Sequence, residues 1–581
     1  MRSGILINQT ETLVDDKADE ERAVEGSATP MRAALTKPTI SALALSVSAC
    51  GGGADSTPSS INSNLPSSPT AKATEVQASR FLAQASLGTT RLDIARVREL
   101  GYAGWVNEQL AMPVVSSRWE WLKSKGYDVA ANKFNTTGFD NVAWRWLISS
   151  PDTLRQRVTL ALSEIIVIGV DGLDNTGGWK TFGGAAWLDM LDANAFGNLR
   201  TLMQQVSTSL QMGAFLTFRG NAKASATTGA VPDENYAREL MQLFMIGLVE
   251  LNLDGTPRLV NGQPIETYAQ TDISGLARVF TGWDIDYAGA NSDIPDHLRR
   301  PMLQVASRYE TGAKSFLGLT IPAGTEATKS LTMALDHLYA HANVPPFWSR
   351  QLIQRLVTSN PTPAYVERVA RVFQNDGAGQ RGNLSAVIRA ILLDVEARTD
   401  NPSEQPTAGK VREPILRLLA WARAWGVRSA SDTWAVGNTS DPATRLGQSP
   451  LRSPSVFNFF RPAYVPPNSA FSTSGLVAPE LQLTNESTVA GYLNFMQSLV
   501  AGSIGDIVPD YSTLLTLADN PAALVSEINT VMAAGQLNAA TQTLIASAIN
   551  AMSRANDAAM RQRVNAAMLL VLAAPEFVVL K

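Results

Sequence analysis

From about Glu75 to the C-terminus, apolar residues recur at every third and fourth position in segment after segment, a period that specifies helices. The pattern runs through Arg80–Gln84, Asp93 to Leu100 ahead of Gly101, Leu154 to Ile168, and Asp233 to Ile246 ahead of Gly247. It continues in Asp272 to Phe280, Phe347 to Val357, Leu384 to Leu393, Arg412 to Trp425 and the whole stretch after Ser512. The fold expected is therefore mainly α, a large single helical domain over 76–581 with one small β-hairpin. The hairpin belongs at Arg258–Ile265, where Asn261-Gly262 is a pair that tolerates the left-handed backbone of a tight turn. No period of fixed length appears, so a solenoid is not expected. A chain of 581 residues can bury such a core without a disulfide or a metal.

The N-terminal region has a different character. Residues 1–30 carry seven acids against three bases, the reverse of the basic start of an export signal, and read as an upstream extension. Met31 is followed by Arg32, Lys37, the apolar run Ile40 to Val47 and then Ser48-Ala49-Cys50, a complete short signal peptide over 31–49. Val47-Ser48-Ala49-Cys50 resembles the lipobox of bacterial lipoproteins. That resemblance implies cleavage before Cys50 and a lipid on its thiol, hence attachment to a membrane of the cell envelope, periplasmic or outer. Residues 50–75 begin with three glycines and continue in Ser, Pro, Asn and Thr, the composition of a flexible tether. Ala566 to Ala574 is too short to span a bilayer and reads as a buried helix.

Charge and residue type remove several kinds of chemistry. A net charge of −4 gives no electrostatic reason to bind nucleic acid. One cysteine and three histidines leave little for thiolate or imidazole metal sites, and neither a metal nor a cofactor is expected. His337 and His341 share a helical face but lack a third ligand, so capping or packing suits them better. The acidic loop containing Asp284, Asp286, Asn291, Asp293 and Asp296 has oxygen ligands without EF-hand spacing, and a solvated loop is the simpler reading. Trp144, Trp146, Trp283, Trp421 and Trp425, at helical spacing, read as core rather than as platforms for sugar rings. Nucleophile elbows, phosphate loops and zinc-protease motifs are absent.

The most distinctive segment is Pro232-Asp-Glu-Asn-Tyr-Ala-Arg-Glu-Leu-Met-Gln-Leu-Phe244, which sets Glu234 against Arg238 at i and i+4. It is followed by Tyr268 to Ile273, Ala277 to Trp283, Gly312-Ala-Lys-Ser-Phe-Leu-Gly318 and Arg350 to Val357. Lys410-Val-Arg-Glu-Pro414, Pro454 to Pro462 and Thr484-Asn-Glu486 come later. Together, in order from Arg80 to Phe577, these resemble the large bacterial family catalogued as domain of unknown function 1800. The resemblance implies export, and a second exported protein of sulfatase-like appearance as a partner, but no reaction. Where relatives carry a histidine before the Gly-x-Lys segment, this chain has Tyr309-Glu310, so a scheme needing imidazole there is in doubt.

Two readings of function follow. In one, the protein is an acid-base hydrolase acting on an envelope or extracellular polymer, with a carboxyl pair drawn from Glu239, Asp272 and Glu234 as proton donor and acceptor. Asn235, Arg238, Arg278, Lys314 and Arg350 would then bind an anionic group. In the other, the protein is a non-catalytic binding or assembly protein of the envelope, and the same charges fasten helices to one another. Convergence of the carboxyl groups on one concave site would favour the first, and separate charge pairs the second.

Overall fold

In a computed structural model of the protein, the described residues are 72–114, 116–289, 291–399 and 407–581. The signal peptide expected at 31–49, Cys50 and all but the last residues of the tether expected at 50–75 lie outside them. Thr70–Lys581 forms one compact unit. The first described helix, Glu75–Ala85, starts where the periodicity does. Thr74 caps it, accepting from the Gln77 amide at 3.2 Å while the Gln77 side chain accepts from the Thr74 amide at 2.8 Å, so the body begins one residue earlier than expected.

The architecture is mainly α. The sequence places several helices closely, Leu384–Leu393 among them, and where it misplaces an end there is a local cause. Arg91–Ala111 passes through Gly101, whose φ of 72° breaks the helical path, so the glycine expected to end one helix instead joins two. Pro414, at the first turn of Pro414–Ala424, puts that start two residues later than expected. The Asn261-Gly262 hairpin forms, with both turn residues at positive φ and Val260 paired to Gln263. Four further two-strand ladders accompany it. Trp283–Asp284 pairs with Leu303–Gln304, Lys314–Phe316 with Leu319–Ile321, Lys410–Val411 with Val579–Leu580, and Arg428–Ser429 with Ile507–Val508. Runs of two or three residues carry no readable period, and most of these join distant parts of the chain.

One continuous apolar core runs from Ala78 to Phe577. At its centre lies the Thr153–Ile165 helix, all thirteen of whose residues are buried, Arg155, Gln156, Arg157 and Glu164 included. A helix enclosed on every side must satisfy its polar groups within the protein. The five tryptophans named above are all buried. His337 Nε2 lies 2.9 Å from the Leu317 carbonyl, and His341 Nδ1 accepts from the Asn343 amide at 3.1 Å. Asp284 of the acidic loop pairs with Arg219 at 2.8 Å and Arg308 at 2.5 Å. Among the described residues no helix is long and apolar enough to cross a membrane. The Ala566–Ala574 run forms the end of the Asp557–Ala573 helix and its cap Ala574, and buries Ala567, Met568, Val571 and Leu572.

Candidate functional site

The Pro232–Phe244 segment forms an α-helix over Asn235–Glu239 that passes directly into a π-helix over Leu240–Met245. A π turn is rare and recurs at functional sites, and here Glu239 stands at the change of register. Asp233 starts the helix by accepting from the Asn235 amide at 2.8 Å, which leaves the Glu234 carboxylate free to reach outward. It accepts from Arg238 Nη2 at 3.3 Å and, across to the Gln270–Ala277 helix, from Gln270 Nε2 at 2.7 Å and Ser274 Oγ at 2.5 Å. Arg238 Nη1 also reaches Gln270 Oε1 at 3.5 Å.

Gln270, Ser274 and Arg278 are spaced by four and share a helical face, so the network continues along it. Arg278 pairs with Glu310 at 3.3 Å. Glu310 Oε1 accepts from the Gly312 amide at 2.7 Å, and Lys314 Nζ donates to the Gly312 carbonyl at 3.1 Å. The Lys314 side chain is buried, its ammonium 4.7 Å from the Tyr309 ring centre. Burial pulls Lys314 below the usual lysine range against the opposing charge of Glu310. Burial alone would raise Glu310, but the Gly312 amide, Arg278 and Lys314 hold it below the usual carboxyl range.

The other candidates take different positions. Asp272 accepts from the Ala269 amide at 2.8 Å and from the Leu317 amide at 2.7 Å, capping its own helix and clasping the Lys314–Ile321 hairpin. Asn235 Nδ2 donates to Thr217 Oγ1 at 3.4 Å. Arg350, on the Val344–Leu356 helix, donates to the Gly255 carbonyl at 3.5 Å and does not enter the network. Glu239 is buried, with Oε2 lacking a hydrogen-bond partner. Burial pushes its carboxyl above the usual range, with Arg238 opposing. Tyr268, raised chiefly by its own burial and further by the Glu239 charge, donates to Gln242 Oε1 at 3.0 Å.

A second charged group draws Arg355, Lys410 and Glu413 from the motifs named above and its other members from elsewhere in the chain. Lys410 and Glu413 of Lys410-Val-Arg-Glu-Pro414 are buried with Arg157, Glu164, Arg355 and Glu480. Lys410 Nζ pairs with Glu480 at 3.0 Å and donates to the Arg355 carbonyl at 2.7 Å, and Arg355 pairs with Glu164 at 3.6 Å. Gln448 donates to Glu413 at 2.7 Å. The Glu164 and Glu413 carboxyl groups meet. Burial, then the neighbouring Glu413, push Glu164 well above the usual range. Burial would raise Glu413 too, but a hydrogen bond from Glu164, with Lys410 and Arg157, holds it below. Two carboxyl groups that act on each other in this way titrate as a pair. Asn458, of the Pro454–Pro462 motif, lines a small void beside Glu164. The available signal was the clustering of ionisable residues next to Pro414, a helix start, which marks a chain segment entering the core charged.

A family model described as "Protein of unknown function (DUF1800)" matches residues 80–579. No curated protein and no solved structure matches the chain.

Proposed function

The chain belongs to the DUF1800 family of proteins of unknown function, and from that premise we propose that it is an exported, lipid-anchored envelope protein that works by binding. In this reading the lipid on Cys50 holds it at a membrane. The face carrying Arg238 and Arg278 engages an exported partner, the sulfatase-like protein that the family resemblance implies. The observation that carries this reading is how the carboxyl groups are engaged. Both oxygens of Asp272 accept from backbone amides, and both oxygens of Glu234 are held by side chains of the neighbouring helix and Arg238. Acid-base chemistry with two carboxyl groups needs an unengaged pair, and of these three candidates only Glu239 has an oxygen without a hydrogen-bond partner. Arg238 and Arg278, by contrast, keep 38% and 37% of their side chains exposed, in ion pairs that a partner's carboxylates can exchange.

Replacing both arginines, Arg238→Ala with Arg278→Ala, is expected to abolish co-purification of the partner after cross-linking in intact envelopes while lowering the melting temperature little, since both ion pairs are partly exposed. Retention of the partner by the double variant would sink the proposal. The hydrolase reading keeps one supporting observation, the buried Glu239 carboxyl with its raised pKa beside Tyr268. If purified protein cleaves an envelope polymer and Glu239→Gln stops it with stability unchanged, that reading replaces the first.

A further inference from the structure

A cleft of 430 Å³ lies among the Arg118–Ser124, Lys180–Asn194 and Leu199–Thr208 helices and the turn that ends in Arg299, Arg300 and Pro301. That volume falls among those of pockets that enclose a small ligand. Its lining is of two kinds. Ala186, Met190 and Leu298 are apolar, whereas Gln205, Thr208 and Ser209 bring polar atoms. The Gln205 carbonyl already accepts from Asn194 at 2.8 Å, which leaves its amide nitrogen as a donor. The Thr208 hydroxyl donates to the Gln204 carbonyl at 3.0 Å, leaving its oxygen as an acceptor, whereas the Ser209 hydroxyl donates to the Val206 carbonyl at 2.9 Å and already accepts from the Met212 amide at 3.3 Å.

The charges around the cleft are unequally compensated. Asp189 is fully engaged, accepting from Ser117 Oγ at 2.7 Å, from the Arg118 amide and guanidinium at 3.0 and 3.1 Å, and from the Trp119 amide at 3.1 Å. Arg299 lies 4.4 Å from the Trp119 ring centre and is shared between Glu120 at 3.2 Å and Asp296 at 2.8 Å. Arg300, the next residue, is exposed and has no carboxylate partner among the described residues. Trp119, which lines the same cleft, has a buried indole N–H with no acceptor in the protein.

We propose that this cleft binds an anionic sugar unit, with its acid group on Arg300, its hydroxyls on Gln205 and Thr208, and its C–H face against Met190 and Leu298. A pyranose ring presents one apolar face and a rim of hydroxyls that both donate and accept, which matches a lining divided in this way. A carboxylate or sulfate is the group that a free guanidinium fork binds best. The site is independent of the Arg238 and Arg278 face, and either can fail without the other.

The test is calorimetric titration of the full chain with digalacturonate, with the neutral disaccharide cellobiose and with a tetraglutamate peptide. Digalacturonate is expected to bind. Arg300→Ala should weaken it roughly tenfold or more, the usual cost of a lost charged hydrogen bond, with the melting temperature unchanged. Gln205→Ala, at a second exposed position, should weaken it less, and cellobiose should bind more weakly than digalacturonate. Absence of binding, an Arg300→Ala variant that binds like the parent, or a peptide that binds as tightly as the sugar would each overturn the proposal, the last by making the cleft a general anion site.

Discussion

Glu164 and Glu413 act on each other in the core within reach of Arg157, Arg355, Lys410 and Glu480, and the opposite shifts of the two carboxyl groups have a measurable consequence. Glu164 binds its proton more tightly in the folded protein than in the unfolded chain. Its contribution to stability is therefore full below the ordinary carboxyl pKa and is lost as pH rises through the raised folded value. Glu164→Gln copies the protonated side chain in shape, so it should change the unfolding free energy little near neutral pH and flatten the decline at higher pH. Glu413→Gln removes the charge that faces Lys410 and Arg157 and should cost about 3–5 kcal/mol, the usual result of breaking a buried pair. Urea unfolding of both variants across pH measures this, and the opposite ranking would assign the proton to Glu413.

At the scale of elements, the contact between the Gln270–Ala277 helix and the Lys314–Ile321 hairpin decides where the charged network lies. Gly275 makes that contact possible, since a Cβ built there would fall 1.8 Å from the Ser315 carbonyl oxygen, a backbone atom with no freedom to turn away. Gly275→Ala should push the two elements apart, break the Asp272 clasp on the Leu317 amide and cost about 1–3 kcal/mol or more. A lower melting temperature together with faster hydrogen exchange at the Leu317 amide is expected. Slow exchange with an unchanged melting temperature would show that the contact is looser than the geometry indicates. Nothing in the sequence near Gly275 signals this need, because the atom that imposes it lies forty residues away. The Leu317-Gly318 turn was similarly obscure, since leucine is a poor marker for its φ of 46°.

For the whole molecule, the proposed attachment rests on Cys50, which lies outside the compact unit Thr70–Lys581. No described helix is long and apolar enough to cross a membrane. Cys50→Ala should therefore move the protein from the membrane fraction to the soluble envelope fraction while its melting temperature stays that of the parent. Mass spectrometry of the membrane-extracted parent should find a lipid on an N-terminal Cys50. Finding Ala49 still joined to an unmodified Cys50 would refute the anchor.

The helical class, several helix positions, the Asn261-Gly262 turn and the family were legible in the residues alone, because periodicity, caps and turn chemistry act between residues close in sequence. The sequence also drew attention to Glu234, Arg238, Arg278 and Lys314, whose motifs fall on elements that pack together. What it could not decide was the partner of each charge. Asp272 and Glu239 are both carboxylates in charged motifs, yet one is engaged by two backbone amides and the other is buried with an oxygen unpartnered. Likewise, Glu164, from a helix that reads as ordinary core, meets Glu413 from a motif almost 250 residues later. Long-range pairing of this kind is set by how whole helices stack, and it determines which ionisable groups are held in place and which stay available.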